Sequence, residues 1–219
     1  MRMKILKGIV ASLAKPGGNV TGVAVNVETP KIWQWVRDVA PGTRLVGLLF
    51  NVRNYEGVNG ADDVKTYREK KAAEYAAIAK ALGVEFVVMR VGEEKEIEPK
   101  LAEFANSGGT GLIILTDGHL ISWRASIMEA VRHHRLATAC VQWFGWAREG
   151  CVITYGEDQS FLRRTAALQV DKIFRGMKPA DIPVEQPTNF RLIVNTKAAK
   201  ALGLTVPQSL LAYADEVVD

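Results

Sequence analysis

At 219 residues, with 48% apolar and 24% charged side chains, the chain has the make-up of an ordinary folded protein with ample length for a core. The net charge of +4 comes from scattered Lys and Arg, with no basic stripe interleaved with aromatics, which argues against a dedicated nucleic-acid surface. No apolar run approaches the roughly 20 residues of a membrane span, and the composition excludes large-scale disorder.

The opening MRMKILKGIVASLAK (1–15) imitates a signal peptide, with a basic start and an apolar patch, but Lys7 interrupts that patch. Residues 5–14 are expected to form a short helix stopped by Lys15-Pro16-Gly17-Gly18. The glycine-rich PGGNVTG (16–22) leads into Asn19–Val25, which has strand character. A phosphate cradle needs amides at a helix start, so this segment suits a turn or hinge instead. Thr29-Pro30 supplies a cap residue and a first-turn proline ahead of KIWQWVRDVA, which ends at Pro41-Gly42.

From residue 44 a rhythm sets in. RLVGLLFN (44–51), VEFVVMRV (84–91), GLIILTD (111–117), LATACVQW (136–143) and CVITYG (151–156) are short runs rich in Val, Ile and Leu. Such runs mark strands buried on both faces, as in parallel sheets. Helical segments fall between them. One starts at Asp62-Asp63 and closes at Gly83, a second spans the acidic 93–108, and a third runs from about Leu120 to His134. A compact WFGWAREG (143–150) separates the last two strands. Asp158 or Ser160 caps a helix ending near Gly176, and the tail holds a strand (191–194) and two short helices. The fold class is therefore α/β, a doubly wound five-stranded parallel sheet with helices on both faces. Small ligands in such folds sit in the crevice beyond the carboxyl ends of the strands.

The residues at those ends are the candidates for binding. Asn51 and Asn54 follow the first strand, and their amides both donate and accept. Asp117 follows the third strand, suited either to a ligand amino group or to capping the next helix. Trp143, Phe144 and Trp146 follow the fourth strand and Tyr155 ends the fifth, suited to stacking on a flat ligand or to packing. No nucleophile is paired with a base. The three histidines are His119, His133 and His134; the last two are adjacent, are expected to point apart, and make no metal site. Cys140 and Cys151 both fall inside expected strands, at different heights, which speaks against a disulfide. An enzyme using Asp117 or His119 as acid–base group is the rival reading, and a non-functional remnant a third.

Three segments carry a resemblance: SLAKPGGNVTGV (12–23), RLVGLLFNVRNY (44–55) and the long 153–218, including PADIPVEQPTNFRLIVNTKAAKALGLTVPQSLLA. They resemble substrate-binding proteins of bacterial ABC transporters, some of which take aromatic amino acids. The resemblance implies a two-lobed type I periplasmic binding protein fold, no catalysis and no cofactor. It also implies an ABC permease as partner and a periplasmic or membrane-anchored extracytoplasmic location. Residues 1–43 would be a remnant of the first lobe and hinge, 44–195 a complete second lobe, and 196–219 helices returning toward the first lobe. A small amino-acid-like or aromatic ligand would lie in the interlobe cleft, against Asn51, Asn54, Asp117, Trp143 and Tyr155. Asn51-Val52-Arg53-Asn54 stands where relatives have Asn-Pro-Asp-Asn, while Tyr155-Gly156 matches the family. On this reading the chain is amino-terminally incomplete, and Ile32, Trp33 and Val36 are left exposed, favouring self-association.

Overall fold

The apolar runs become the strands of one sheet in a computed structural model that describes residues 9–24, 30–52, 73–115, 117–141 and 145–219. The strands are β1 (Leu45–Asn51), β2 (Glu85–Val91), β3 (Gly109–Ile114), β4 (Ala137–Val141), β5 (Ile153–Glu157), β6 (Phe190–Asn195) and β7 (Glu216–Val218). Their order is β2-β1-β3-β4-β5-β6-β7. The pairs β1–β2, β1–β3, β3–β4 and β4–β5 are all parallel, as is β6–β7. The five expected strands thus form a doubly wound block with order 2-1-3-4-5. The sheet is wider than expected, because the two strands of the carboxy-terminal segment extend it to seven.

Both faces are covered. On one, helix α1 (Pro30–Val39) buries Ile32, Trp33, Val36 and Val39 against β3 and β4. The helical residues 73–81, here α2, lie beside it, with Tyr75 against the Trp33 ring. On the other, α3 (Ile97–Asn106), α4 (Gly118–Ser122) and α5 (Arg124–His133) bury Leu101, Phe104, Leu120, Ile127 and Val131 with Leu49, Leu112 and Ile114 of the sheet. The expectation that Ile32, Trp33 and Val36 are exposed is therefore wrong. The sheet itself needs an apolar helix on that face, and α1 supplies it.

Close approach of α3 to the sheet rests on two glycines. A Cβ on Gly47 would lie 3.0 Å from the Phe104 ring and 2.5 Å from Met89, and one on Gly109 would lie 2.3 Å from the same ring. Phe104 occupies the space that side chains there would take.

Cys140 and Cys151 form a disulfide, against expectation, with S–S 2.06 Å and Cα–Cα 6.4 Å. The expectation put Cys151 inside the fifth strand. Strand β5 begins at Ile153, so Cys151 belongs to the turn leaving helix α6 (Gly145–Glu149), where Trp146 O accepts its backbone N–H. That turn brings the sulfur to Cys140 within the core.

The chain divides into two compact units, Met1–Glu28 with Gly156–Arg191, and Thr29–Tyr155 with Leu192–Asp219. The second holds nearly all of the sheet. In the first, the described residues 9–14 form turns, not the expected helix. Ser12 Oγ accepts from Lys15 N–H at 2.9 Å, Ala11 N–H reaches Pro16 O, and Val184 N–H reaches Leu13 O. These bonds satisfy the backbone locally. Among the described residues 19–24, the expected strand gives a parallel bridge from Val23 to Glu185. Helix α7 (Gln159–Phe174), capped by Asp158 through Ser160 N–H, belongs to the same unit. Its buried Gln169 amide donates to Gly22 O and Pro183 O, stitching helix to turns. Leu168, Val170, Phe174 and Met177 are exposed along and just past this helix.

Candidate functional site

All parallel strands of the 2-1-3-4-5 block end at one rim, and the rim is where the candidate residues gather. Asn51 is the last residue of β1 and is completely buried. Asp117 lies just beyond β3, which pairs with β1. The Asn51 amide Nδ2 donates to Asp117 Oδ1 at 3.2 Å. The same oxygen accepts from the backbone N–H of His119 at 2.8 Å and of Leu120 at 2.9 Å. Asp117 is therefore the N-cap of α4, with extended backbone, the role that competed with ligand binding in its sequence context. The hydrogen bond from Asn51 adds a second function: it ties the end of β1 to the start of α4. His119 stands at the edge of this group, its Nδ1 4.0 Å from Asp117 Oδ1 and its ring 5.7 Å from that of Trp123.

Tyr155 lies on β5, level with Val141 of β4, at the opposite end of the rim. Its ring meets Trp35 edge to face, with centroids 5.2 Å apart and an interplanar angle of 72°. Both side chains are partly exposed. The registers put Asn51 on the α3 side of the sheet with Leu49 and Val91, and Tyr155 on the α1 side, so the polar pair and the aromatic pair belong to opposite faces.

Asn54 and Trp143 lie outside the described residues, as does Phe144. Trp146, also named among the rim aromatics, is fully buried and packs in the core with Cys140 and Cys151. Trp35 was not foreseen. Its signal was present in KIWQWVRD: Ile32, Val36 and Val39 mark the buried stripe, and Trp33 and Trp35 flank it on opposite sides. Trp33 turns toward Phe86 of β2, leaving Trp35 on the side of β5.

Away from the rim, the His133 and His134 rings do not diverge as adjacency suggested. They stack with centroids 4.6 Å apart and planes 3° from parallel, because His134 has left the helix as the C-cap of α5. Among the described residues no helix is long and apolar enough to cross a membrane.

The family described as ABC transporter substrate binding protein matches residues 4–218. The chain is 21% identical over 197 residues to a tyrosine-binding protein of Clostridioides difficile, covering 90% of this chain and 53% of that protein. It thus spans about half the length of that curated relative. Among solved structures, an ABC domain in complex with L-Trp from Streptococcus pneumoniae superposes with a TM-score of 0.80 at 23% identity. That match covers 99% of this chain and 69% of the other. A conserved domain protein from Vibrio cholerae gives 0.79 at 20% identity, covering 98% and 68%. At these identities the two structures show the fold.

Proposed function

Because the chain belongs to the ABC transporter substrate-binding protein family, we propose that it acts as part of the solute receptor of a bacterial ABC importer and that its ligand is an aromatic amino acid. The family is one of binding proteins, not of enzymes. The observation that carries the ligand class is the partly exposed aromatic pair, Trp35 with Tyr155 of β5, in a chain whose Asn51 and Asp117 are joined at the ends of β1 and β3. Tyrosine and L-Trp are what the matched relatives' descriptions give as bound. On this reading Tyr155 and Trp35 take the ligand ring edge to face or offset-stacked, an interaction of about 0.5–1.5 kcal/mol beyond area burial. Asn51 holds the Asp117 carboxylate in place, and the rim is this lobe's contribution to the ligand cleft. The buried disulfide supports an extracytoplasmic location, since such bonds persist in oxidising compartments. An ABC permease is the partner that this role requires.

The test is thermal unfolding of the chain with L-Trp, L-Tyr, L-Phe and, as control, L-Leu. Ligand at a hundredfold excess over Kd adds about 2.7 kcal/mol to stability by linkage, a rise of several degrees in Tm. We expect that rise with L-Trp or L-Tyr, its absence with L-Leu, and its reduction in Trp35→Ala and Tyr155→Ala. Equal responses to all four amino acids, or none, would overturn the aromatic assignment.

A further inference from the structure

We propose that Glu98, His133 and His134 form a surface site for a divalent transition metal, with zinc as its natural probe. Glu98 is the second residue of α3. His133 is the last residue of α5 and His134 its C-cap. The backbone N–H of His134 reaches Ala130 O and Arg132 O, and the next residue, Arg135, takes a positive φ of 52° that turns the chain away. His134 is thereby anchored, its side chain only 15% exposed, while that of His133 is 73% exposed.

Both imidazoles face one carboxylate oxygen. His134 Nε2 lies 2.9 Å from Glu98 Oε1 and His133 Nδ1 lies 3.8 Å from it. All three ligand atoms fall within 4.8 Å of one another. Bonds of about 2.0–2.1 Å to tetrahedral zinc put neighbouring ligand atoms roughly 3.3 Å apart, within about half an ångström of both separations from Glu98. Water fills the fourth position. An imidazole nitrogen binds a metal lying in its ring plane, and two parallel rings cannot both do so. His133, the exposed one, is the ring that turns; His134 and Glu98 are already in place. Two imidazoles and one carboxylate favour zinc or copper over magnesium or calcium. The carboxyl end of α5 adds the negative end of its dipole. Because α3 and α5 pack against each other, an ion held here links the two helices that cover one face of the sheet.

The experiment is calorimetric titration of the untagged chain with zinc chloride, with magnesium chloride as control, alongside thermal unfolding. We expect one zinc equivalent with micromolar affinity, a raised Tm, and no response to magnesium. Glu98→Gln and His134→Ala should each weaken binding by at least about tenfold. Circular dichroism verifies that both variants fold, and Glu98→Gln keeps the shape of the side chain. The absence of saturable zinc binding below the millimolar range in the folded chain would overturn the site. So would binding that survives His134→Ala, or that is lost in His119→Ala instead.

Discussion

One oxygen of Asp117 accepts three hydrogen bonds, from Asn51 Nδ2 and from two backbone amides. Asp117→Ala removes the acceptor of the two α4 amides and should cost about 1 kcal/mol as a lost cap, with a further loss for the hydrogen bond from Asn51. Asp117→Asn keeps an acceptor oxygen and should cost less. Comparing the denaturation midpoints of the two variants checks this. Asn51 and Asp117 could be located from sequence because a residue at the end of a buried parallel strand has one place to be; Tyr155, expected to end the fifth strand, is instead its middle residue, since β5 continues to Glu157. Trp35 could not, since α1 was assigned away from the sheet it covers. The local pattern placed it beside a buried stripe but gave no means of telling which element the stripe meets.

Helices and strands were legible wherever periodicity and local signals agreed: Pro30 in the first turn of α1, Asp158 before α7 and the five buried runs. The disulfide was not, because it depends on where β5 starts, and apolar residues continue upstream of the ladder through Val152. The link closes a short loop around α6 within the core. Replacing both cysteines by Ala should cost about 2–3 kcal/mol on the chain-entropy scale, read as a fall in Tm without a change in far-ultraviolet dichroism. The entry to α3 carries a pH-dependent element. Backbone N–H groups of Gly92 and Glu93 donate to the Glu96 carboxylate and hold it below the usual carboxylate range. Its folded value is depressed, so the stabilisation is present above the ordinary range and is lost as pH falls through the lowered value. Following the Glu96 carboxyl carbon by NMR should show a midpoint below the usual glutamate range.

For the molecule as a whole, the expected self-association keeps its logic but changes its surface. The residues first suspected, Ile32, Trp33 and Val36, are buried against the sheet. Four of the exposed apolar residues lie on α7 and just beyond it: Leu168, Val170, Phe174 at 85% exposure, and Met177. Val170 and Phe174, four residues apart, share one side of the helix, and exposed apolar surface favours association in water. Sedimentation should show weight-average mass rising with concentration, and Phe174→Ser should reduce that rise without lowering Tm. The matched relatives are longer than this chain, which spans 53% of the tyrosine-binding protein and 69% of the L-Trp complex. Affinity measured on the 219 residues therefore reports the share of ligand recognition that they carry.

The two hydrogen-only side chains beneath Phe104 impose an order on sequence drift. A methyl at Gly109 would stand 2.3 Å from the ring, so that glycine changes without overpacking only after the aromatic has become smaller, whereas at Gly47 the nearer obstacle is Met89, 2.5 Å away. Lineages that begin with Gly109→Ala would meet the cost of overpacking, about 1–3 kcal/mol. Those that begin with Phe104→Leu open the room first, and the second step is then cheaper than it is alone.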